Sequence, residues 1–230
     1  MPAILDRASR LALDLLFPPQ CAICRAAGAV LCDFCVATLP LASDPRCSIC
    51  WDDDPGGTTC RHCLADRPAF NSVRAPYAHA DNARTLVHLL KYEHLTSLAE
   101  PMAREMIPLA LDAACDLIVP VPLHAGRQRS RGYNQSALLA KHIAREIGIA
   151  VDTKATRRTR ATRPLALSMD RHERRRIVAG AFAAHPARVE GRRILLIDDV
   201  VTTGATLDEC ARALLAAGAA SVTALTFVRA

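Results

Sequence analysis

The sequence is poor in aromatic side chains, in long apolar runs and, outside one short stretch, in cysteine. Its nine aromatic residues make up 4% of 230 and are scattered along the chain. That argues against a stacking platform for single-stranded nucleic acid, where successive bases lie on successive rings. No apolar run reaches the roughly 20 residues that a membrane-crossing helix needs. Even the leucine-rich stretch Ile4 to Leu16 is interrupted by Asp6, Arg7, Arg10 and Asp14, so residues 1–18 read as an amphipathic helix and not as an export signal. The chain is therefore expected to be cytoplasmic, with no membrane span. With 51% apolar residues, it can bury one ordinary core and has length left for a small module.

Cysteine is concentrated where it occurs. Eight of ten fall in four C-x-x-C pairs: Cys21/Cys24, Cys32/Cys35, Cys47/Cys50 and Cys60/Cys63. In a small secreted protein such pairs form a disulfide framework, but nothing here resembles an exported chain. Redox thiols are a weaker reading, because four consecutive redox pairs have no evident purpose. C-x-x-C sets two thiolates on one tight turn, and two turns complete the tetrahedral sulfur set of a closed zinc site. Two structural zinc ions are expected, in a double zinc ribbon spanning 19–67. That segment has too few large apolar residues for a core of its own, so metal binding would supply the missing folding energy. Cys115 and Cys210 stand in apolar contexts and read as buried structural thiols.

After a linker near Arg67 to Ala75, residues 76–230 read as an α/β domain with a parallel sheet and flanking helices. Its most informative stretch is Ile194 to Leu207, ILLIDDVVTTGATL. Ile194 to Ile197 suit a strand buried on both faces. Asp198 and Asp199 follow at the carboxyl end, where open α/β sheets bind ligands. Thr202, Thr203, Gly204, Ala205 and Thr206 then open a helix that presents amide groups, a positive dipole end and three hydroxyls to a phosphate. A second strand, DLIVPVP at Asp116 to Pro122, precedes a basic loop and another helix start, with Arg127, Arg129, Arg131, Gly132, Asn134 and Gln135 between them. The two arrangements are alike, so the second reads as a second anion site. Tyr133 could stack on a base or seal the loop. The helix Asp81 to Tyr92 points Leu86, Val87, Leu89 and Leu90 inward, and Lys91 and His94 at its end read as functional or simply solvated, periodicity alone favouring solvated.

Positive charge is also concentrated. Thr153 to Arg176 carries nine Lys or Arg against Asp170 and Glu173, a balance of +7 in a chain whose net charge is +6. Such a segment faces an anionic ligand or an anionic polymer, unless it is a solvated loop.

Asp198 to Thr206 resemble the phosphoribosyl pyrophosphate (PRPP) signature of type I phosphoribosyltransferases. The four C-x-x-C pairs, Leu90-Lys91-Tyr92, Val119-Pro120-Val121-Pro122, Arg131 to Gln135, Arg158-Thr159-Arg160, Gly180-Ala181-Phe182 and the acid-threonine stretch occur in the order found in the ComF family, which is associated with natural competence and the uptake of transforming DNA. The chain departs from the family pattern at Leu165 and Ile177. The resemblance implies a type I phosphoribosyltransferase-like fold that binds Mg-PRPP, or a related phosphorylated ribose. Asp198 and Asp199 would engage the ribose and help hold Mg²⁺; Thr202 to Thr206 would take the 5′-phosphate, and Arg127, Arg131, Gly132, Asn134 and Gln135 the pyrophosphate. Arg131 or Arg163 would follow the departing charge. It leaves three roles open: a PRPP-binding protein of DNA uptake, a non-catalytic protein that binds single-stranded DNA or docks on a DNA-translocating competence partner, and an active phosphoribosyltransferase with an unidentified acceptor.

Overall fold

The computed structural model describes residues 18–162 and 171–230. The expected N-terminal helix lies outside the described residues. The chain divides into two compact units, 1–39 and 40–230. In the first, Cys21, Cys24, Cys32 and Cys35 are gathered by a turn and by the short helix α1 (Asp33–Ala37). The Cys21 N–H donates to Ala26 O at 2.8 Å, and the Ala22 N–H to Val30 O at 2.8 Å.

The second unit contains the other cysteine cluster, whose last ligand sits on α2 (Arg61–Ala65). It also contains a five-stranded parallel sheet. Its strands are β1 (Val73–Arg74), β2 (Tyr77–Ala78), β3 (Leu117–Pro120), β6 (Arg193–Val201) and β7 (Ser221–Arg229). The order is β1-β7-β6-β3, and β2 pairs with the far end of β7. Helices α3 (Asp81–Tyr92), α4 (Ala99–Leu111), α5 (Ala125–Arg131), α6 (Gln135–Ile147) and α8 (Ala205–Ala216) fill the connections. A separate antiparallel pair, β4 (Thr156–Arg158) with β5 (Phe182–Ala184), flanks α7 (Arg171–Val178) and carries part of the basic segment.

The central strand is what its composition dictates. Ile194, Leu195, Leu196 and Ile197 are each 1% exposed or less, because a parallel strand is covered on both faces. Burial of each such side chain is worth roughly 1.5–3 kcal/mol, enough to fix the register that delivers Asp198 and Asp199 to the sheet's edge. The helices follow the same logic: Leu139, Ala140 and Ile143 of α6 and Leu207, Ala211 and Leu214 of α8 line one face each and are buried.

The second cysteine cluster shares the core of this larger unit. Cys47, Ile49, Cys50, Cys60 and Cys63 pack in one apolar cluster with Phe70, Val73 and side chains of α8. The stretch after the cluster binds back to it: the Val73 N–H donates to Ile49 O at 2.8 Å, and Trp51 Nε1 donates to Ala75 O at 3.0 Å. Compact units therefore part at Leu39 and Pro40, within the segment read as a double ribbon.

Candidate anion site and cysteine clusters

The acidic pair lines an open cleft of about 230 Å³, together with Lys91, Arg127, Arg131, Gln135, Ser136, Arg158, Thr202 and Thr206 among others. The strands bring these together because β3 and β6 are neighbours in the sheet and their following loops open on the same side. Beside the cleft, Val200 to Leu207 curl around a small shallow cup. Gly204 makes the turn at φ +77°, a conformation that L side chains rarely adopt, and α8 starts at the next residue. The cup sits at a helix start, where free amides and the dipole favour an anion.

Asp199 is 2% exposed and meets Lys91 Nζ at 2.5 Å. Gln135 Nε2 reaches its other oxygen at 3.4 Å. Burial would raise this carboxyl, but the Lys91 ammonium outweighs burial and holds it below the ordinary carboxylate range. Asp198 accepts from Ser136 Oγ at 2.7 Å and from the Asp199 N–H at 3.0 Å. Burial and the neighbouring Asp199 charge push it up to about 7, against the opposing pull of Lys91. The two adjacent acids are thus shifted in opposite directions, Asp198 up and Asp199 down.

Lys91 was expected to be solvated at its helix end; it is instead drawn into the site. Its position four residues after buried Val87 puts it on the inward face of α3, and the spacing could have revealed this. His94, beyond the helix, packs edge-on against Tyr133 at 5.8 Å between ring centroids. Tyr133 donates its hydroxyl to Leu90 O, so it seals the loop to α3.

The basic wall is built differently. The stretch read as a loop after β3 is partly helical: α5 starts at Ala125, with the His124 side chain accepting from the Gly126 N–H, and Gly132 ends it at φ +78°. Asn134 caps α6 by accepting from the Ser136 and Ala137 N–H groups and donates to Val121 O at 3.0 Å. Gly132 and Asn134 therefore shape the wall, while Arg127, Arg131 and Gln135 line the cleft. Arg131 donates to Gln135 Oε1 at 2.7 Å and lies over the exposed Tyr92 ring at 5.3 Å. Arg127 donates to Thr162 O at 3.2 Å.

Of the basic segment, Arg158 faces the cleft and stacks on Phe182 at 5.1 Å. Arg160 binds Ile177 O at 3.1 Å and Ala179 O at 2.8 Å. Arg174, 3% exposed, donates to Thr202 Oγ1 at the start of the cup. Arg163 and Leu165 lie outside the described residues.

Each cysteine tetrad has its four sulfurs within 4.8 Å of one another, and all ten cysteines are free thiols. The Sγ separations of Cys24 to Cys32 and Cys50 to Cys60 are 3.6 Å. Tetrahedral Zn–S bonds of about 2.3 Å place sulfurs about 3.8 Å apart, so the sets fit zinc. Burial would raise the Cys21 and Cys47 thiols, but backbone N–H donors bring both down to about 6. Burial and the neighbouring sulfurs push Cys35 and Cys50 up to about 12. Cys210 is fully buried in α8 and its thiol is pushed up to about 12 by burial, a structural thiol.

Comparison with known proteins agrees with both parts. Residues 134–230 match the phosphoribosyl transferase domain, and residues 12–64 match the double zinc ribbon domain. DNA utilization protein YhgH of Escherichia coli (strain K12) is 34% identical over 170 residues, covering 71% of this chain and 74% of that protein. The Salmonella typhi protein of the same name is 31% identical over 224 residues, covering 90% and 96%. Competence protein F of Haemophilus influenzae is 27% identical over 206 residues, covering 80% and 90%. The chain belongs to the ComF family. Its larger unit has the type I phosphoribosyltransferase fold, and the tetrads are those of its double zinc ribbon. As a ComF chain it carries no helix, among the described residues, long and apolar enough to cross a membrane.

Proposed function

We propose that this ComF protein binds Mg-PRPP in the cleft between β3 and β6 and acts in the cytoplasm in the handling or uptake of DNA. The observation that carries the ligand is the gathering of Asp198 and Asp199 with Lys91, Arg127, Arg131 and Arg158 in one cleft beside the glycine-turned cup, with Asp199 paired to Lys91. An ionised Asp199 accepts hydrogen bonds from vicinal ribose hydroxyls. Asp198 exchanges its proton for the ligand's positive or hydrogen-bonding groups as the site fills. The amides and hydroxyls from Thr202 to Thr206 cradle the 5′-phosphate, while Arg127, Arg131 and Arg158 face the pyrophosphate. Mg²⁺, held by Asp198 and Asp199 together with ligand oxygens, would neutralise pyrophosphate charge and orient the ribose.

If the ribose is transferred, the protein's work is to position it and to stabilise departing charge, for which Arg131 and, in the segment outside the described residues, Arg163 are the candidates. The names of the relatives motivate the DNA role. Exposed Arg129 and Arg157 provide sites for salt-sensitive contact with a phosphate backbone, and the ribbon provides a surface for a DNA-translocating partner.

Calorimetric titration of the zinc-loaded protein with PRPP and Mg²⁺ tests the ligand. Binding and a raised Tm are expected in wild type, with both lost in the Asp198→Asn/Asp199→Asn variant. Wild type without binding overturns the reading. Addition of a panel of bases, with pyrophosphate release as the readout, then separates an enzyme from a binder.

A further inference from the structure

The second cysteine cluster is built into the support of the glycine-turned cup. Three connections join them inside the larger unit. The first runs through Asp52, two residues past Cys50. Its carbonyl accepts from the Cys47 N–H at 2.8 Å, which closes the cysteine turn. Its carboxylate meets Arg229 Nη2 at 2.9 Å. Arg229 is 5% exposed, and its Nη1 donates to Val201 O at 3.3 Å and to Thr202 O. One guanidinium therefore ties the cysteine turn to the backbone where β6 becomes the cup.

The second connection is Phe70, 1% exposed, whose ring stands 3.5 Å from where a Cβ on Gly204 would be. The adjoining Ala69 N–H donates to Asp208 Oδ1 in the first turn of α8 at 2.6 Å. The third is Arg175, paired with Asp66 at the end of the helix that carries Cys63 and 3.8 Å from Asp208. Between cluster and cup lies a cavity of about 100 Å³ lined by Cys50, Cys63, Phe70, Arg175, Gly204 and Asp208.

A turn this short at the end of a strand has little packing of its own. Its geometry is set by what grips its ends, and here those grips lead to a cysteine turn whose shape depends on four sulfurs held about one point. We infer that the Cys47–Cys63 metal centre positions the anion-binding turn 202–206, with Asp52 and Arg229 as the positioning residues. The metal of this cluster then has a role that the metal of Cys21–Cys35, in the other compact unit, does not share. The inference rests on the phosphate-cup reading only for its ligand arm, because the order of the turn can be measured without ligand.

The test uses the full chain loaded with zinc. Amide hydrogen exchange is followed across Val201 to Leu207, and inorganic pyrophosphate and Mg-PRPP are titrated in parallel. Asp52→Asn is expected to speed exchange in this segment about tenfold while zinc stays at wild-type content, and Asp52→Glu to restore part of the protection. Cys60→Ser should lose one zinc and give the same local increase; Cys32→Ser should lose one zinc and leave the segment unchanged. Unaltered exchange in Asp52→Asn, or an equal increase in Cys32→Ser, overturns the inference. If the exchange pattern appears as expected but wild type does not bind Mg-PRPP, the positioning role stands and the ligand assignment falls.

Discussion

The two walls of the cleft are both strand, turn and helix start, yet they are stabilised in opposite ways. The wall after β6 is acidic, buried and gripped from behind by Phe70, Arg174 and Arg229. The wall after β3 is basic and more exposed, and its polar groups satisfy one another: Asn134 caps α6, and Arg131 at the end of α5 bonds Gln135 at the start of α6. Carboxylates placed out of water cost several kcal/mol each unless paired, so the acidic wall needs external support. Guanidinium groups reach the cleft on long stems from half-exposed positions, and a capped helix holds them well enough.

The largest break in that contrast should come from Lys91→Met. It leaves two adjacent carboxylates without their cation, and the expected loss is about 3 kcal/mol, roughly 10 °C in Tm, at pH 8 where both tend to ionise. At pH 5 the loss should shrink, because the acids can take up protons instead. Asp199→Asn should cost less than Lys91→Met, since Asp198 is then free to ionise and face the lysine. Equal losses in the two variants at both pH values would show that the pair is not what holds this wall. Thermal melts of the ligand-free protein across pH decide it.

The next effect belongs to Asp198 itself. Its folded value of about 7 lies above that of an ordinary unfolded aspartate, so the native state holds the proton more tightly. Stability therefore falls as pH rises from about 4 to about 7 and levels off above that. Asp198→Asn should flatten the slope and raise Tm near pH 8, a gain in stability at a cost in function. A slope unchanged by the substitution would assign the pH dependence to another group.

The chemistry of the acidic wall was largely legible in the sequence because it is contiguous: strand, acids and turn follow one another from Ile194 to Thr206. The cysteine tetrads were legible for the same reason, as each pair is local and ligand spacing carries its own geometry. Lys91, Ser136 and Arg229 were not, since each comes from a separate element and acquires its role only when α3, α6 and β7 pack around β6. Weak signals existed. Lys91 keeps the helical spacing of Val87, and Arg229 is a charge at the end of the otherwise apolar run LTFVR. Charge counting over 153–176 overstated the free basic surface, because Arg160 bonds main-chain carbonyls and Arg174 is buried against Thr202.

On the basic wall, Arg131→Ala should leave Tm nearly unchanged, because the side chain bonds only Gln135 and the Tyr92 ring. Pyrophosphate affinity should fall about tenfold, or ~1.4 kcal/mol, with a smaller dependence on salt. A Tm loss as large as that of Lys91→Met would erase the distinction between a wall that is supported and one that is self-capped.

The smallest effects come from the glycines that end each turn. Gly132 and Gly204 sit at φ +78° and +77°, so alanine at either should cost about 1 kcal/mol through backbone strain alone. Their surroundings differ: a Cβ on Gly132 meets nothing within 4 Å, whereas one on Gly204 touches the Phe70 ring at 3.5 Å. Gly132→Ala is therefore expected to lower Tm by a few degrees and leave ligand affinity intact, because the strain can relax into open space at the end of α5. In Gly204→Ala the Phe70 contact stops that relaxation, so the turn moves instead and affinity for Mg-PRPP falls along with Tm. Equal affinities in the two variants would mean that the turn before α8 is as free to adjust as the one before α6.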